Sequence, residues 1–387
     1  MSSFYGTVKH GDEISPGWMQ NVEDALGSGT PAKKASYHIW TTNNSTWYAR
    51  HGRTGVRESD DDLANLINEK ILELYDAQSG PGGLITLGPY AGKQSLNSSI
   101  NMRPGVYLQG ESRGTNLRTY VTALYATSDF PMVKFDPPTD IPLADYAYYG
   151  GLSSLRLDGD GNVTSYPLID INPSTNRGWG DITLNDLVVQ QGKYGLRINN
   201  NTTSSLIWNV HVILSYFEDA TYNGILVDSP TDQEIKQCRF IGNHFYNNCT
   251  SGGNGAFEID GHNTRGGILI GNTWELEKRC ALYMADEADG WSIGGGNVII
   301  DAGQLTDNTY AGISLNDVDF INITGTVSMT RANTKMKYGY ISDNNCTYLC
   351  TIGNVFVGQT AGAVQGTGTG NVPANANMGS YNVVKTA

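Results

Sequence analysis

The sequence has few charged residues and lacks any long apolar run. Charged residues make up 16% of the 387 positions, against about 25% in an average soluble domain. The 38 acidic residues outnumber the 25 basic ones, which gives a formal net charge of −13. Negative charge of this size disfavours binding to the phosphate backbone of nucleic acids. Because no apolar run reaches the roughly 18 residues of a membrane-spanning helix, we expect neither a nucleic-acid partner nor membrane insertion.

Cysteine pairs with metal-binding or redox spacing are also lacking. No two of the five cysteines stand in a C-x-x-C arrangement. We therefore expect them to be mainly small buried hydrophobic residues. The first residues, MSSFYGTVKHGDEIS, contain no apolar segment of the kind found in secretory signal peptides, so we expect no signal peptide there.

Glycine, by contrast, is abundant, and the pattern around it divides the chain into four regions. The 47 glycines and many short apolar triplets favour an all-β protein with frequent turns. We expect an attachment or linker segment over residues 1–36 and a β-hairpin with a capping α-helix over 37–78. A solenoid is expected over 79–360, followed by a Gly/Asn-rich segment over 361–387.

The predicted helix follows Ser59 and extends to about Ala77. Acidic residues from Asp60 to Asp62 are typical of a helix N-terminus. Apolar residues then recur at helical spacing on one face, at Leu63, Leu66, Ile67, Ile71 and Leu74. A helix with one apolar face can cover the open end of a solenoid, which needs a cap.

From Gly83 onward, short strands alternate with turns, and two landmarks repeat in phase. One is a strand that begins in GLRIN, GILVD and AFEID and continues in ALYMAD, GISLN and GYISD. The other is an apolar–Asn–apolar pattern that recurs on average about every 28 residues, at Asn185, Asn209, Asn243, Asn272, Asn297, Asn322 and Asn354. Together they predict a single-stranded right-handed parallel β-helix in which these asparagines form a hydrogen-bonded ladder.

Stacking the repeats predicts two outward-facing columns of side chains, because alternate residues of a strand point to opposite faces. One column holds Asn199, Asp228, Asp260, Asn316 and Asp343 and is interrupted by Ala285, and its neighbour holds Arg197, Leu226, Glu258, Tyr283 and Ser314. Carboxylates on neighbouring coils suit glycosidic hydrolysis or binding of Ca²⁺. Their mutual repulsion also raises the pKa of one carboxyl group, as a general acid requires.

The candidate catalytic residues are Asp228, Glu258, Asp260, His262 and Arg265, and the candidate glycan contacts are Arg197 and Tyr283. His262 and Arg265 follow the acidic strand directly and could supply a proton donor or hold a sugar carboxylate. The alternative is that the Asp and Asn residues only end each strand by bonding to the turn backbone. No cofactor is predicted apart from the Ca²⁺ that the carboxylates could hold.

The stretch DDDLANLINEKI, with GGLITL and SSINMRPGVYLQGESRGTNLR after it, resembles the entry to pectin-lyase-like β-helix proteins. In that superfamily a capping helix leads into a Gly-Gly strand and then into the first complete coil. The resemblance covers residues 58–118, and the repeat extends it to about residue 358. It implies a right-handed parallel β-helix. It implies little about activity, because the superfamily includes lyases, hydrolases and non-catalytic surface proteins.

The segment GDEISPGWMQNVEDAL resembles the start of many phage tail-fibre and tail-spike proteins, where it helps to attach the protein to the virion. The matching residues are Gly11, Asp12, Ile14, Asn21, Glu23 and Ala25, with Pro16 where Ala is common. The hairpin YHIWTTNNSTWYARHGRTG is similar to segments that precede β-helices in archaeal and archaeal-virus surface proteins. The resemblance implies a homotrimer on the virion surface that joins other tail proteins through its N-terminus and engages a host glycan.

The resemblance to the enzymes of the superfamily is incomplete. Polygalacturonase-type hydrolases carry NTD, DD and GHG on successive coils, and Gly261-His262-Asn263 is the nearest approach to the last of these. Pectate lyases need a Ca²⁺-binding acidic cluster and a basic proton acceptor, and no motif singles out Arg265, Lys278 or Arg279 for that role.

Three functions therefore remain open at this point. We expect first a tail-spike or tail-fibre type protein that engages a cell-surface glycan. The alternatives are a polysaccharide lyase or glycoside hydrolase acting on an acidic polysaccharide, and a purely structural fibre of a virion or cell surface. The sequence does not decide whether the protein is an enzyme.

Overall fold

The computed structural model describes most of the chain between residues 35 and 366. The described ranges are 35–43, 45–52, 54–75, 82–89, 93–113, 122–137, 139, 147–173, 177–200, 205–229, 233–261, 263–306, 309–330, 336–343, 345–366 and 383–385. The predicted attachment segment over residues 1–36 lies almost entirely outside them, and the C-terminal segment over 361–387 lies mostly outside them. No helix in these ranges is both long enough and apolar enough to cross a membrane.

Three parallel β-sheets run along a right-handed β-helix, as the sequence predicts. Each complete coil contributes one main strand to each sheet. Sheet 1 contains Arg57–Asp60, Trp47–His51, Ala35–Thr41, Gly83–Leu87, Val106–Gly110, Ala147–Ser153, Trp179–Asn185, His211–Ile213, Arg239–Ile241, Ile268–Ile270, Ser292–Gly294, Asn322–Thr324 and Cys350–Ile352, with a side branch of Leu206–Trp208, Glu234–Lys236 and Thr264–Arg265. Its first three strands form the predicted antiparallel hairpin region.

The other two sheets form the remaining sides of the coils. Sheet 2 contains Gln94–Leu96, Ala123–Ala126, Arg156–Asp158, Val188–Gln190, Tyr216–Glu218, His244–Tyr246, Thr273–Glu275, Val298–Ile300, Val327–Met329, Val355–Val357 and Val383–Lys385. Sheet 3 contains Ile100–Met102, Val133–Phe135, Pro167–Ile171, Tyr194–Asn199, Ile225–Ser229, Gly255–Gly261, Cys280–Ala285, Ala311–Asn316, Tyr338–Ser342 and Gly362–Gly366.

Inward-facing side chains stack in rows inside the coils. Phe217, Phe245 and Trp274 occupy equivalent positions in successive strands of sheet 2. Their ring centroids are 5.4 and 5.3 Å apart, and the rings are nearly parallel. All three side chains are buried, which for residues of this size contributes about 1.5–3 kcal/mol each.

The helix α1, Leu63–Leu74, covers the N-terminal end of the solenoid. Asp62 caps it, because its carboxylate accepts hydrogen bonds from the backbone N–H groups of Ala64 and Asn65 at 2.9 and 3.2 Å. The predicted apolar face is buried. Lys70 is buried on the same face, where its ammonium group pairs with the carboxylates of Glu58 and Glu73.

A ladder of asparagines links the coils at the corner that leads from sheet 1 to sheet 2. Oδ1 of Asn272 accepts hydrogen bonds from the backbone N–H and the side-chain amide of Asn243, at 3.0 and 3.1 Å. Asn272 donates in the same way to Oδ1 of Asn297, at 2.9 and 3.3 Å. Asn354 takes the equivalent place in a later coil, where its Oδ1 accepts from the N–H of Thr326 at 2.9 Å. All four asparagines are buried.

The other three asparagines assigned to the ladder are not part of it. Asn185 ends a strand of sheet 1, and Ser215 fills the ladder position of the following coil, where its Oγ accepts from the N–H of Leu187 at 3.2 Å. Asn322 begins a strand of sheet 1, and Thr326 fills the ladder position of its coil.

Asn209 lies at a different corner, the one from sheet 3 to sheet 1, in a left-handed conformation with φ of 56°. Its side chain bonds to Asp181 and His211. The prediction was wrong at Asn185, Asn209 and Asn322, because none of them directly precedes a strand of sheet 2, the position at which the ladder asparagines stack.

A second buried contact between coils lies where sheet 2 leads to sheet 3. The backbone N–H of Asn248 donates to Oε2 of Glu277 at 2.7 Å, and its side chain bridges Ala220 and Phe217 in the preceding coil. Glu277 is fully buried, and burial raises the pKa of its carboxyl group to about 8. The group is therefore mainly protonated at neutral pH.

Replacing Asn272 by Leu should lower the free energy of unfolding by about 1–3 kcal/mol, because the buried backbone N–H of Asn243 loses its acceptor and the carbonyl group of Phe240 loses the bond from the Asn272 side chain. The matched control is Asn322→Leu, since Asn322 lies outside the ladder and its Oδ1 has no hydrogen-bond partner among the residues that the structure describes. Denaturant unfolding measures both variants. Equal losses in the two would contradict the ladder.

Replacing Glu277 by Gln should make stability less dependent on pH. The folded pKa of about 8 lies above the ordinary value of 4.5, so the contribution of this carboxyl group to stability is fully present below about pH 4.5 and is lost as the pH rises through 8. One proton accounts for about 1.4 kcal/mol per pH unit, and glutamine does not titrate. Denaturant unfolding between these pH values should show the advantage of the variant growing with pH, whereas parallel curves would count against a buried neutral carboxyl group.

Candidate functional site

The outer face of sheet 3 places the predicted acidic residues side by side. Asp228 pairs with Asp260 across neighbouring strands, and Leu226 pairs with Glu258. Tyr283 is next to Glu258 in the following coil. The two columns therefore have the register that the sequence predicts, with neighbouring strands about 4.8 Å apart.

Asp260 shares a hydrogen bond with a carboxyl group that the sequence analysis missed, that of Asp286. Asp286 follows the strand Cys280–Ala285, in a left-handed conformation with φ of 51°. Partial burial and the charges of Asp286, Glu258 and Asp228 raise the pKa of Asp260 to about 7. Near neutral pH Asp260 is therefore partly protonated, beside the carboxyl group of Asp286 to which it is hydrogen-bonded.

Glu258 is held rigidly beside this pair. Its carboxylate accepts hydrogen bonds from the side chain of Asn223 at 2.6 Å and from the backbone N–H and the side chain of Asn254, both at 2.7 Å. The side chain is only 5% exposed. Glu258 therefore acts on Asp260 mainly through its charge. It also fixes the position of Asn254, which lines the cavity described below.

Arg197, a predicted glycan contact, forms an ion pair with another residue of sheet 3, Asp170. Its Nε and Nη2 atoms donate to the two carboxylate oxygens of Asp170, each at 2.9 Å. Burial raises the pKa of Asp228, and the guanidinium of Arg197 opposes part of that rise. Arg197 thus neutralises the N-terminal end of the acidic column.

A cavity of about 250 Å³ lies beside the acidic residues, toward the C-terminal end of sheet 3. Its lining combines tyrosine rings with hydrogen-bonding groups and comprises Asn254, Cys280, Tyr283, Thr309, Tyr310, Ala311, Ser314, Lys337, Tyr338 and Ile341. Tyr283 joins the two parts of the site, because it lines the cavity and the charges of the carboxylates act on its hydroxyl group. Partial burial and the charges of Asp260, Glu258 and Asp286 raise the pKa of Tyr283 to about 12.

One of the predicted catalytic residues, Arg265, is not brought to this face. Arg265 lies in the strand Thr264–Arg265, in the side branch of sheet 1, and its charge acts on Asp289. The chain turns a corner between Asp260 and Arg265, so closeness in sequence does not bring them together. Grouping Arg265 with Asp260 was therefore wrong, and His262 lies outside the described residues.

The described residues contain no group of three or more His, Cys, Asp and Glu side chains arranged to hold a metal ion. The five cysteines are all free thiols, and all but Cys350 are buried. The chemistry that this face offers is therefore that of carboxyl groups, tyrosines and one cavity lysine.

Comparison with known proteins finds similar structures at low sequence identity. No protein-family model matches the chain, and no curated protein matches it. The chain is similar to the A-module of the mannuronan C-5 epimerase AlgE4 of Azotobacter vinelandii, with a TM-score of 0.39 and 14% identity over 80% of this chain and 96% of that one. It is similar to a double mutant of the tailspike protein of E. coli bacteriophage HK620, with a TM-score of 0.47 and 12% identity over 84% and 63%. It is also similar to polygalacturonase from Erwinia carotovora, with a TM-score of 0.40 and 11% identity over 78% and 93%.

Replacing Asp286 by Asn should lower the pKa of Asp260 from about 7 toward its ordinary value of 3.8, because a negative charge is removed and an amide donor takes its place. Carboxyl carbon NMR titration of Asp260 measures the shift directly. Asp317→Asn is the control, since Asp317 lies at the equivalent corner of the next coil but is not among the charges that mainly raise the pKa of Asp260. An unchanged titration of Asp260 in Asp286→Asn would show that the two carboxyl groups do not interact.

Proposed function

We propose that the protein engages a cell-surface glycan along the outer face of sheet 3, with the tyrosine-lined cavity as the principal binding site. The observation that carries the proposal is the combination of Tyr283, Tyr310 and Tyr338 with the hydrogen-bonding groups of Asn254, Ser314 and Lys337 around one cavity. Tyrosine rings stack on the apolar faces of sugars, and amides, hydroxyls and ammonium groups bond to sugar hydroxyls.

The biological setting that we propose is a tail spike or tail fibre on the surface of a virion. The support is the resemblance of residues 11–25 to virion attachment segments, together with the long β-helix. In this setting the chain forms a homotrimer that joins other tail proteins through its N-terminus. A purely structural fibre remains the alternative without a ligand, and it would leave the cavity without a function.

A second candidate function, glycoside hydrolysis, is favoured by the pair Asp260–Asp286. A carboxyl group with a pKa of about 7 keeps its proton at neutral pH and can donate it to a glycosidic oxygen. Asp228, in register with Asp260, is the carboxylate placed to act as the second catalytic group. A lyase mechanism is less favoured, because Arg265, the basic residue that follows the acidic strand, lies on another sheet.

The test uses an array of neutral, uronate-containing and amino-sugar oligosaccharides. The wild type should bind at least one of them. Tyr283→Ala or Tyr338→Ala should weaken binding by about tenfold or more, which corresponds to the loss of one or more aromatic contacts. Tyr166→Ala is the matched control, since Tyr166 is 44% exposed and lies outside the cavity lining. Absence of binding to every oligosaccharide would contradict a glycan function.

The same oligosaccharides separate binding from catalysis. If the acidic pair is catalytic, the wild type should produce new reducing ends, and Asp260→Asn should lose this activity while it still binds. Unsaturated products, detected by their ultraviolet absorbance, would instead indicate a lyase. Cleavage that is undiminished in Asp260→Asn would place catalysis elsewhere.

A further inference from the structure

In each of six successive coils, at the corner that leads from sheet 3 to sheet 1, the residue two positions before the main strand of sheet 1 is left-handed. In the first five, the backbone N–H of this residue donates to a carbonyl group of the next coil. The six residues, with φ between 52° and 68°, are Asn209, Gln237, Gly266, Gly290, Phe320 and Tyr348. The conformation is thus required by the corner itself and is independent of the side chain.

Phe320 and Tyr348 are poorly suited to this position. Glycine adopts left-handed φ values without a steric cost and asparagine tolerates them, whereas bulky side chains rarely do. Burial does not compensate for the strain, because Phe320 is 59% exposed and Tyr348 is 64% exposed. Strained backbone that is retained at exposed positions is a feature of functional sites.

The two rings form a stack along the axis of the solenoid. Their centroids are 4.6 Å apart and their planes differ by 6°, which matches the spacing of about 4.8 Å between successive coils. Tyr348 covers one face of Phe320. The other face points toward Gly290 and Gly266, where the corner has no side chains.

The two glycines form the floor of a notch beside the Phe320 ring. A Cβ atom added to Gly266 would have no atom within 4 Å, and one added to Gly290 would have only backbone atoms of Gly266 near it, at 3.7 and 3.9 Å. Both glycines are exposed. The notch is therefore open to solvent and could accommodate a planar ring against Phe320.

Two side chains of opposite charge lie on the rim of the notch. Arg265 and Asp289 directly precede the two glycines and pair with each other across neighbouring coils. Oδ1 of Asp289 accepts a hydrogen bond from the N–H of Asp319 at 2.9 Å, which holds this carboxylate in place. The guanidinium of Arg265 interacts electrostatically with the same carboxylate.

We propose that this notch, formed by Phe320, Gly290, Gly266, Arg265 and Asp289, binds one neutral pyranose ring. The apolar face of the sugar stacks on Phe320, and neighbouring hydroxyl groups donate to Asp289 and accept from Arg265. The adjacent opposite charges suit hydroxyl groups, which both donate and accept. The site is separate from the tyrosine-lined cavity, and its role as part of a glycan-binding surface rests on the proposed function.

The test is NMR titration with a panel of methyl pyranosides, namely the glucoside, galactoside, mannoside and N-acetylglucosaminide, each at millimolar concentration. At least one of them should shift the amide resonances of Gly266 and Gly290 and the ring resonances of Phe320. Phe320→Gly should lose these shifts but keep or raise the unfolding temperature, because glycine accepts the left-handed conformation. A residue with only a structural role would not show loss of binding together with retained stability.

Tyr348→Gly is the matched control, because it makes the same substitution at the equivalent corner and removes the ring on the far side of Phe320 from the notch. It should retain the shifts. Shifts that persist in Phe320→Gly, or no shifts with any pyranoside, would overturn the proposal. A change of molar mass by light scattering in Phe320→Gly would instead identify the stacked rings as a contact between copies of the chain.

The outcomes also separate this inference from the proposed function. Loss of the notch shifts in Tyr283→Ala would mean that the sugar binds in the cavity, which contradicts the notch. Notch shifts in a protein that binds no oligosaccharide on the array would support the notch and contradict the cavity. Binding on the array without notch shifts would support the cavity and contradict the notch.

Discussion

The hydrogen bonds between coils run parallel to the axis of the solenoid, and the rest of the structure depends on the register that they fix. Each strand of sheet 3 pairs with its neighbours without a slip from Asp170 to Ser314. A slip of one residue would turn every inward side chain outward. Equivalent positions therefore stack on each other along these described coils, whatever their chemistry.

The stacking of equivalent positions in successive coils stabilises some side chains and destabilises others. An amide both donates and accepts, so Asn243, Asn272 and Asn297 bond to one another. Carboxylates only accept when they are ionised, so the same geometry brings Asp228, Asp260 and Asp286 together at a cost. The raised pKa of Asp260 reflects this cost. A fold that needed only stability would place amides on this face, as it does at the ladder, and the retained acids therefore favour a role in binding or catalysis.

The sequence predicts the strands well because their signal is local and repeated. The motifs GILVD and AFEID place Asp228 opposite Asp260, and the structure has this register. The ladder was overpredicted because an apolar–Asn–apolar pattern occurs both at corners and at the ends of strands. A sharper signal was present, since Asn243, Asn272, Asn297 and Asn354 each follow a glycine with a left-handed φ. Asn185, Asn209 and Asn322 follow Leu, Trp and Ile.

Strand periodicity does not predict the direction of the chain at the corners between sheets. The candidate site depends on residues at these corners. Asp286 lies beyond the end of its strand, and its left-handed backbone brings its carboxyl group back to Asp260. No alternation of inward and outward residues predicts that direction. The same change of direction moves Arg265 from the acidic face to sheet 1.

The corners also separate the backbone conformation that the fold requires from the side chains that it tolerates there. The corner from sheet 3 to sheet 1 requires a left-handed residue, and Gly266 and Gly290 satisfy that requirement without strain. Phe320 and Tyr348 adopt the same backbone conformation although the fold would be served at least as well by glycine. Their rings gain little from burial and add nothing to the hydrogen bonds between coils, which involve only the backbone. The stacking of the two rings on each other is one reason for aromatic residues at these positions, and we expect the other to lie in what contacts the rings from outside.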